Sequence, residues 1–322
     1  MTTKRPVEDL KGLGGVIPPM ITPFDDHDRI DSAGLANEAR FLYQSGVNGI
    51  VVGGSMGEGA GMSASELGHA VRVVVEVLEG SIPVLAGLIA DSSVEAIRLG
   101  KVAREAGAVG LQVPPPNFYS SNENRVLAQY YRSITEAVGL PLIIYNVIPW
   151  AQLAVESLEQ LVSDNPAIVG IKQSGRNMQA LAALLASFRG RLKIYSAIDD
   201  LIFPSFVLGV DGTISGTACV FPRETVAMRA AVEAGDIETG RQLHERLAPI
   251  WRLIDLPDFP SRAKYAIALT GRPAGNPRRP FRWPEGEGAR SIEAAMRERG
   301  LMNGKAILSS TLVEAHPTQS RP

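Results

Sequence analysis

Residues 168–174 read IVGIKQS, a short apolar run in which the amine of Lys172 interrupts residues typical of a buried β-strand. Runs of this kind, apolar on both faces of the strand, are typical of parallel sheets. A lysine held in such surroundings loses part of its preference for the charged form, and its free amine can attack a carbonyl to form a Schiff base. A lone lysine in a strand more often lies at the strand end with its ammonium in water. Lys172 is therefore either a nucleophile or a lysine whose ammonium extends into water. The rest of the sequence must decide between these two interpretations.

Seven further runs of this kind recur at a spacing of roughly 25–30 residues, which is the spacing of βα units. The eight predicted strands cover residues 15–24, 47–54, 83–88, 109–114, 141–146, 168–174, 192–199 and 210–216. Helical patterns between them cover residues 31–44, 63–78, 92–106, 121–138, 155–163, 178–188 and 201–208. Ser63 stands three residues before Glu66, which indicates a capping box. The pattern predicts an α/β fold of the TIM (β/α)8 barrel class, with an open doubly wound sheet as the alternative.

The pattern changes after the eighth run. Helical patterns at 223–234, 237–253 and 261–269 follow with no strand among them, and another comes at 288–299. Pro222 marks the boundary, because proline ends the preceding segment. We expect an N-terminal arm over residues 1–12, a barrel over 13–222, an all-helical C-terminal domain over 223–302 and a loosely ordered tail over 303–322.

The composition is that of an ordinary globular protein: 322 residues, 45% hydrophobic, 20% charged, with a formal net charge of −2. Neither sign of charge is concentrated enough to favour nucleic acid or a membrane surface, and no apolar stretch reaches membrane-spanning length, so we expect a small-molecule partner. Cys219 is the single cysteine, which permits no internal disulfide and favours the cytoplasm. The histidines do not cluster with carboxylates at metal-ligand spacing, so no metal is expected.

If the barrel is right, the carboxyl ends of its strands meet at one mouth, where barrel enzymes carry their chemistry. The glycine-rich loop 53–59, Tyr145, Lys172 and Asp199 all stand at such ends. The Ser55 hydroxyl and the adjacent amides suit a carboxylate, and a phenol beside the amine suits proton transfer. Each feature also has an ordinary interpretation: a tight turn, a core tyrosine, and an aspartate that caps the next helix.

Five segments, taken together, carry a family resemblance. They are GSMGE at 54–58, YNV at 145–147, GIK at 170–172, IPPMITPF at 17–24 and DGTISG at 211–216. The chain resembles the family of dihydrodipicolinate synthase and N-acetylneuraminate lyase, Schiff-base-forming aldolases and dehydratases built on a TIM barrel with C-terminal helices. The resemblance runs in order from about residue 14 to about residue 300. The first three segments resemble the family's carboxylate loop, catalytic tyrosine motif and Schiff-base lysine motif.

The resemblance implies a mechanism. Lys172 would condense with the keto group of a 2-oxo acid, Tyr145 would act as acid and base, and Ser55 would bind the carboxylate and relay protons. The implied substrate contacts are Gly54, Ser55, Met56, Asp199, Ile214 and Trp150. The resemblance also implies that no cofactor or metal is needed, and that the chain forms a homotetramer built as a pair of dimers.

The synthase itself fits less well. It has an arginine after the tyrosine motif that holds the carboxylate of aspartate semialdehyde, whereas residues 148–153 read IPWAQL here. It has a second tyrosine after strand four that reaches across the subunit interface, whereas Asn117 stands there and Tyr119 lies two residues on. Met56 replaces the second hydroxyl of the carboxylate loop. Dihydrodipicolinate synthase is therefore the alternative function.

We therefore expect a lyase, either an aldolase or a dehydratase, that acts on a 2-oxo acid such as pyruvate or a 2-keto-3-deoxy sugar acid. The pair Asp199-Asp200 resembles the acidic pair that approaches substrate hydroxyls in the neuraminate lyase branch, whereas Trp150 and Phe118 suit an apolar tail. A barrel that binds 2-oxo acids without turning them over is another alternative, because a fold alone does not fix activity. The joint presence of amine, phenol and carboxylate loop favours an enzyme.

Overall fold

The computed structural model describes residue 10 and the ranges 12–116 and 123–302. The strands in these ranges are β1 (Gly15–Val16), β2 (Ile50–Val52), β3 (Val84–Gly87), β4 (Gly110–Val113), β5 (Leu142–Asn146), β6 (Ile168–Gln173), β7 (Lys193–Ser196) and β8 (Gly212–Thr213). All eight are parallel in one sheet, in the order β1-β8-β7-β6-β5-β4-β3-β2.

Hydrogen bonds outside the regular strands join the two ends of this order. The amide of Val51 in β2 donates to Pro18 O at 3.0 Å, and the amide of Met20 donates to Val51 O at 3.0 Å. The sheet therefore closes on itself, and the predicted TIM barrel is confirmed over the open doubly wound sheet.

Helices surround the sheet. In the described part of the chain they are α1 (Ser32–Gln44), α2 (Ala64–Leu78), α3 (Ser93–Glu105), α4 (Asn124–Val138), α5 (Val155–Asp164), α6 (Met178–Phe188), α7 (Ile202–Leu208), α8 (Gly216–Val220), α9 (Pro222–Glu233), α10 (Ile237–Ile254), α11 (Phe259–Leu269) and α12 (Gly286–Glu298). The predicted capping box starts α2: Glu66 N donates to Ser63 Oγ, and Ser63 N donates to Glu66 Oε2. This exchange satisfies two amides that the first turn leaves unpaired.

The helices after β8 complete the ring and extend beyond it. Helix α9 packs against β1 and α7, which is the place of the eighth outer helix of a barrel. Helix α10 packs against α9, α11 and α12, and α11 also contacts α8. The division of the chain at residue 222 stays a prediction. Most of the arm over 1–12, and the whole tail over 303–322, lie outside the described residues.

Two apolar layers hold the barrel. The larger one lies between sheet and helices, and a smaller one fills the interior. Leu10 and Leu13, which precede β1, belong to the interior cluster, and Tyr195 Oη donates to Leu13 O at 2.9 Å. Side chains therefore fill the barrel interior at its amino-terminal end, which leaves the carboxyl end of the strands for a substrate site.

The first strand is much shorter than predicted. The apolar run over 15–24 forms regular strand only at Gly15–Val16. Pro18, Pro19 and Pro23 have no amide hydrogen to donate to a ladder, so the rest of the run follows the barrel without regular pairing.

The eighth strand is also shorter than the predicted 210–216. It ends at Thr213, because helix α8 begins at Gly216. Ser215 caps this helix, with its Oγ accepting from the amide of Ala218 at 3.3 Å. The sequence analysis did not predict α8, since its five residues are too few to show a helical period.

Candidate active site

A cavity of about 160 Å³ lies at the carboxyl ends of the strands. Six of the predicted site residues line it: Ser55, Met56, Tyr145, Lys172, Asp199 and Ile214. Its outer wall comes from the C-terminal helices, through Trp251 in α10, Asp255 after it and Phe259 at the start of α11. The cavity thus lies between the barrel mouth and the C-terminal helices.

Lys172 and Tyr145 meet in this cavity. They occupy paired positions on β6 and β5, and Lys172 Nζ lies 3.7 Å from the centroid of the Tyr145 ring. Lys172 is 5% exposed and Tyr145 is 7% exposed. A lysine this buried does not place its ammonium group in bulk water. The interpretation of Lys172 as a lysine that extends to the surface is therefore not supported.

Hydrogen bonds of Asn146 connect the ends of β5 and β6, the strands that carry Tyr145 and Lys172. Its Nδ2 donates to Gln173 Oε1 at 2.8 Å, and its Oδ1 accepts from the amide of Leu153 at 2.9 Å. The residue after Tyr145 is thereby tied to the residue after Lys172, and the loop after β5 is held against both. Sequence reasoning gave Asn146 no role, although it stands in the tyrosine motif.

The loop at 54–58 forms a 3-10 turn at Ser55–Gly57. Gly57 N and Gly59 N both donate to Gly54 O, at 3.0 and 3.1 Å. The amides of Ser55 and Met56 are the first in the turn, and no acceptor for them is found among the described residues. Ser55 and Met56 line the cavity, whereas Gly54 does not and instead holds the turn through its carbonyl.

Glycines give the loop its close packing. A Cβ at Gly57 would lie 2.9 Å from Met20 O, and a Cβ at Gly59 would lie 1.7 Å from Gly53 O. Neither backbone atom can move without disturbing the barrel, so only glycine fits. The interpretation of this segment as a tight turn is correct, and the turn leaves two amides without a protein partner at the cavity.

Glu58 ends the loop in a buried ion pair. Its Oε1 lies 2.6 Å from Lys264 Nζ in α11, and the two side chains are 4% and 0% exposed. Its Oε2 accepts from the amide of Arg278 at 2.8 Å. Sequence reasoning treated Glu58 only as part of the carboxylate loop and did not find Lys264, because the pair joins distant parts of the chain.

Asp199 stands at the end of the β7 segment and lines the cavity. Its Oδ1 accepts from the amide of Thr217 at 2.6 Å, in the first turn of α8, which Ser215 caps. Asp199 therefore does not cap the helix that follows β7, as the ordinary interpretation would have it. Burial raises the pKa of Asp199 to about 7, the positive charge of Lys172 opposes this rise, and the negative charge of Asp255 adds to it. At neutral pH the carboxyl can therefore donate as well as accept a hydrogen bond.

Gly216 shapes the wall of the cavity. A Cβ at this position would lie 2.0 Å from Trp251 Cη2 and 2.5 Å from Met56 Cε. The glycine therefore leaves room for both side chains, and Trp251 is 4% exposed. The sequence analysis missed Trp251, which no local motif marks.

Arg176 and Asp255 form an ion pair at the cavity. Arg176 follows β6 and has a positive φ of 27°, and Asp255 directly follows α10. The pair joins the barrel to the C-terminal helices. The sequence offered one signal for it, since Arg176 stands four residues after Lys172.

Trp150 is the other predicted contact, besides Gly54, that does not line the cavity. It is 62% exposed in the 3-10 turn Pro149–Ala151, so the expected substrate contact is not supported. Asn117, Phe118 and Tyr119 lie outside the described residues.

Among the residues that the structure describes, no three His, Cys, Asp or Glu side chains are grouped so as to hold a metal ion. No helix in the described ranges is both long and apolar enough to cross a membrane.

The model of the dihydrodipicolinate synthetase family matches residues 12–299. The chain belongs to this family. It is 31% identical to a 4-hydroxy-tetrahydrodipicolinate synthase of Methanopyrus kandleri, over 90% of this chain and 97% of the relative. It is 33% identical to a protein of the same name from Pseudomonas savastanoi pv. phaseolicola, over 90% of this chain and 99% of the relative. The family predicted from the sequence motifs is confirmed.

Solved structures of family members superpose closely. YagE, a prophage protein of Escherichia coli K12 solved in complex with pyruvate, matches with a TM-score of 0.85 and 26% identity, over 89% of this chain and 99% of YagE. Dihydrodipicolinate synthase of Acinetobacter baumannii, complexed with pyruvate, matches with a TM-score of 0.84 and 28% identity, over 90% of this chain and 100% of that chain. Two family members of this fold therefore bind pyruvate.

Proposed function

We propose that this family member is a lyase that forms a Schiff base between Lys172 and a 2-oxo acid such as pyruvate or a 2-keto-3-deoxy sugar acid. The observation that carries the proposal is the buried contact of Lys172 with Tyr145 in the cavity that also holds the carboxylate loop. A binding protein needs a pocket, but it needs neither a buried amine nor a phenol against it.

The chemistry uses the amine as nucleophile. The deprotonated amine of Lys172 attacks the C2 carbonyl carbon, and the resulting carbinolamine loses water to give a protonated imine. When the C3–C4 bond of a 4-hydroxy-2-oxo acid breaks, its electron pair moves into the imine to form an enamine. The 4-hydroxyl proton leaves to a base, C4 becomes a carbonyl carbon, and this fragment departs as an aldehyde. Protonation at C3 and hydrolysis then release pyruvate. Tyr145, the phenol against the amine, is the group we assign to these proton transfers.

The loop binds the carboxylate. The amides of Ser55 and Met56 begin a turn and have no acceptor among the described residues, and the Ser55 hydroxyl adds a third donor. Three donors on one rigid turn suit a planar anion and place the adjacent keto carbon toward Lys172. Ile214 lines the same cavity and supplies an apolar contact.

A hydroxylated or short tail suits the outer end of the cavity better than a second carboxylate. Asp199, Asp200 and Asp255 line that end, and its cation Arg176 is already paired with Asp255. The synthase reaction of the curated relatives is the second candidate, which their names favour. The sequence does not support the synthase reaction, because residues 148–153 contain no arginine to hold the carboxylate of aspartate semialdehyde.

Borohydride trapping tests the proposal. The protein is incubated with pyruvate or with 2-keto-3-deoxy acids, reduced, digested and mapped by mass. We expect a reduced adduct on the Lys172 peptide, its loss in Lys172→Ala, and its retention in Lys101→Ala, which removes an exposed lysine of α3. Absence of an adduct from every acid would contradict the Schiff-base mechanism and favour a binding protein.

We also propose that the chain forms a homotetramer, as the family resemblance implies, and that it works in the cytoplasm, which its single cysteine favours. Light scattering coupled to size-exclusion chromatography tests the first part. A monomer at micromolar concentration would contradict it.

A further inference from the structure

We propose that Glu58 and Lys264 are positioning residues through which helix α11 holds the carboxylate-binding loop in its active geometry. The proposal rests on the carboxylate-binding role given to Ser55 and Met56 above. It assigns a function to the one buried lysine, besides Lys172, among the described residues.

The geometry connects the pair directly to the loop. Glu58 N donates to Ser55 O at 3.1 Å, so Glu58 closes the turn whose first two residues, Ser55 and Met56, line the cavity. Helix α11 packs against this turn, and its Lys264 Nζ lies 2.6 Å from Glu58 Oε1. A shift of Glu58 therefore moves the turn.

The backbone at Glu58 indicates that its carboxylate is required. Glu58 has a φ of 57°, in the left-handed region, where side-chain-bearing residues are strained and glycine is not. Glycine would close the turn more easily. Glutamate instead supplies a buried carboxylate that accepts from the amide of Arg278 at 2.8 Å and pairs with Lys264.

Lys264 is held from several sides. Its Nζ donates to Asn276 O at 2.7 Å and lies 4.6 Å from the centroid of the Phe24 ring. Arg278 packs on the same ring, with Cζ 4.3 Å from the centroid. Lys264 is 0% exposed, so the ammonium has a single, over-determined position from which it fixes Glu58.

The chain contains a matched control pair. Glu38 in α1 and Arg272 after α11 form a second buried ion pair, with Arg272 Nη1 2.8 Å from Glu38 Oε1. It also joins the barrel to the C-terminal part of the chain, but within the described ranges it makes no hydrogen bond or ion pair with the carboxylate loop and does not line the cavity. We therefore expect the loop to be disturbed by loss of the Glu58–Lys264 pair and not by loss of the Glu38–Arg272 pair.

The test compares two carbonyl probes at Lys172. Pyruvate carries the carboxylate and acetaldehyde does not. The intrinsic reactivities of the two carbonyls differ, but this difference cancels when a variant is compared with the unaltered protein. The change in the ratio of their half-saturation concentrations for borohydride capture on the Lys172 peptide therefore measures the loss of carboxylate recognition. In Glu58→Gln, in Lys264→Met and in the double variant, we expect the preference for pyruvate to fall about tenfold, with capture of acetaldehyde within twofold of the unaltered protein. In Glu38→Gln/Arg272→Met the preference should be unchanged.

The double variant Glu58→Gln/Lys264→Met can be tested even if a single variant fails to fold. A protein in which a buried ion pair is replaced by neutral groups of similar volume often still folds. An unchanged pyruvate preference in a folded Glu58→Gln or double variant would overturn the proposal. An equal fall of the pyruvate preference in the control Glu38→Gln/Arg272→Met would also overturn it, because loss of any buried ion pair would then have the same effect. Absence of capture in the unaltered protein would instead refute the Schiff-base function itself.

Discussion

Lys172 Nζ lies 3.7 Å from the centroid of the Tyr145 ring, over the face of the phenol. The two residues are partners in the register of β5 and β6, so the sheet itself sets their separation. An amine attacks a carbonyl only in its deprotonated form, so a group that can take or return a proton must lie near it. The arrangement places the group that attacks the substrate against the group that we assign to moving its protons.

Tyr145→Phe separates these two roles. We expect turnover to fall roughly a hundredfold, because proton transfer loses its positioned acid and base. Capture of pyruvate at Lys172 should persist at a lower rate, since the ring face remains. The measurement is steady-state turnover with the best 2-keto-3-deoxy acid from the trapping panel, beside timed borohydride capture.

Tyr131→Phe is the matched control for this substitution. Tyr131 is fully buried in α4, and its hydroxyl has no hydrogen-bond partner among the described residues. Its removal should leave turnover within twofold. If Tyr145→Phe also kept full turnover, Tyr145 would not be the acid and base.

Asp199→Asn is expected to change the pH dependence of stability. The folded-state pKa is raised to about 7 from 3.8, so between about pH 4 and pH 7 the folded protein holds a proton that the unfolded chain releases. This group therefore makes stability fall as pH rises through that window. Asparagine does not titrate, so the variant lacks this loss. Its free energy of unfolding relative to that of the unaltered protein should be higher at pH 8 than at pH 5 by about 2–3 kcal/mol. Urea unfolding at both pH values measures it.

Asp236→Asn provides a control of opposite sign. Asp236 caps α10, and its hydrogen bonds to Thr239 lower the pKa of its carboxyl. Its contribution is present at neutral pH and is lost as pH falls toward its lowered pKa. A pH-independent difference between Asp199→Asn and the unaltered protein would show that Asp199 is charged throughout the range.

Gly216→Ala tests the shape of the cavity wall. The added Cβ would lie 2.0 Å from Trp251 Cη2 and 2.5 Å from Met56 Cε, so one of these side chains must move. We expect a loss of about 1–3 kcal/mol in the free energy of unfolding and weaker capture of pyruvate, because Met56 belongs to the carboxylate loop. Gly68→Ala is the control, since its Cβ would lie 3.5 Å from Val102 Cβ, an ordinary contact. Equal stability of the two variants would contradict the tight packing of Trp251.

The site residues that sequence reasoning found are those marked by local motifs at strand ends. Tyr145 and Lys172 each end an apolar run, and the barrel topology brings such ends together without further information. Trp251 and Asp255, which line the cavity, and Lys264, which pairs with Glu58, were not found. They belong to the C-terminal part of the chain, whose packing against the barrel no local pattern specifies. Strand lengths were overestimated at β1 and β8, where apolar residues continue beyond the hydrogen-bonded ladder.

Aspartate semialdehyde together with pyruvate should give little product. The segment 148–153 contains no arginine for the second carboxylate, and Met56 stands where the synthase has a hydroxyl. A coupled assay for the cyclic product, with a known synthase as positive control, measures this activity. Turnover comparable to that control would establish the synthase function that the relatives' names favour.

The Arg176–Asp255 pair should discriminate substrates by their tails. Arg176 is 69% exposed and Asp255 is 36% exposed at the side chain, so breaking the pair should change stability by no more than about 1 kcal/mol. The pair lines the outer end of the cavity, where only a longer substrate reaches. Arg176→Gln and Asp255→Asn should therefore leave the half-saturation concentration for pyruvate within twofold and raise that for 2-keto-3-deoxygluconate about five- to tenfold.

Arg98→Gln, which breaks the exposed Arg98–Glu95 pair of α3, is the control and should change neither half-saturation concentration. Because the two residues act as one unit, the double variant should be no worse than either single variant. Additive losses would show that Arg176 and Asp255 contact the substrate independently.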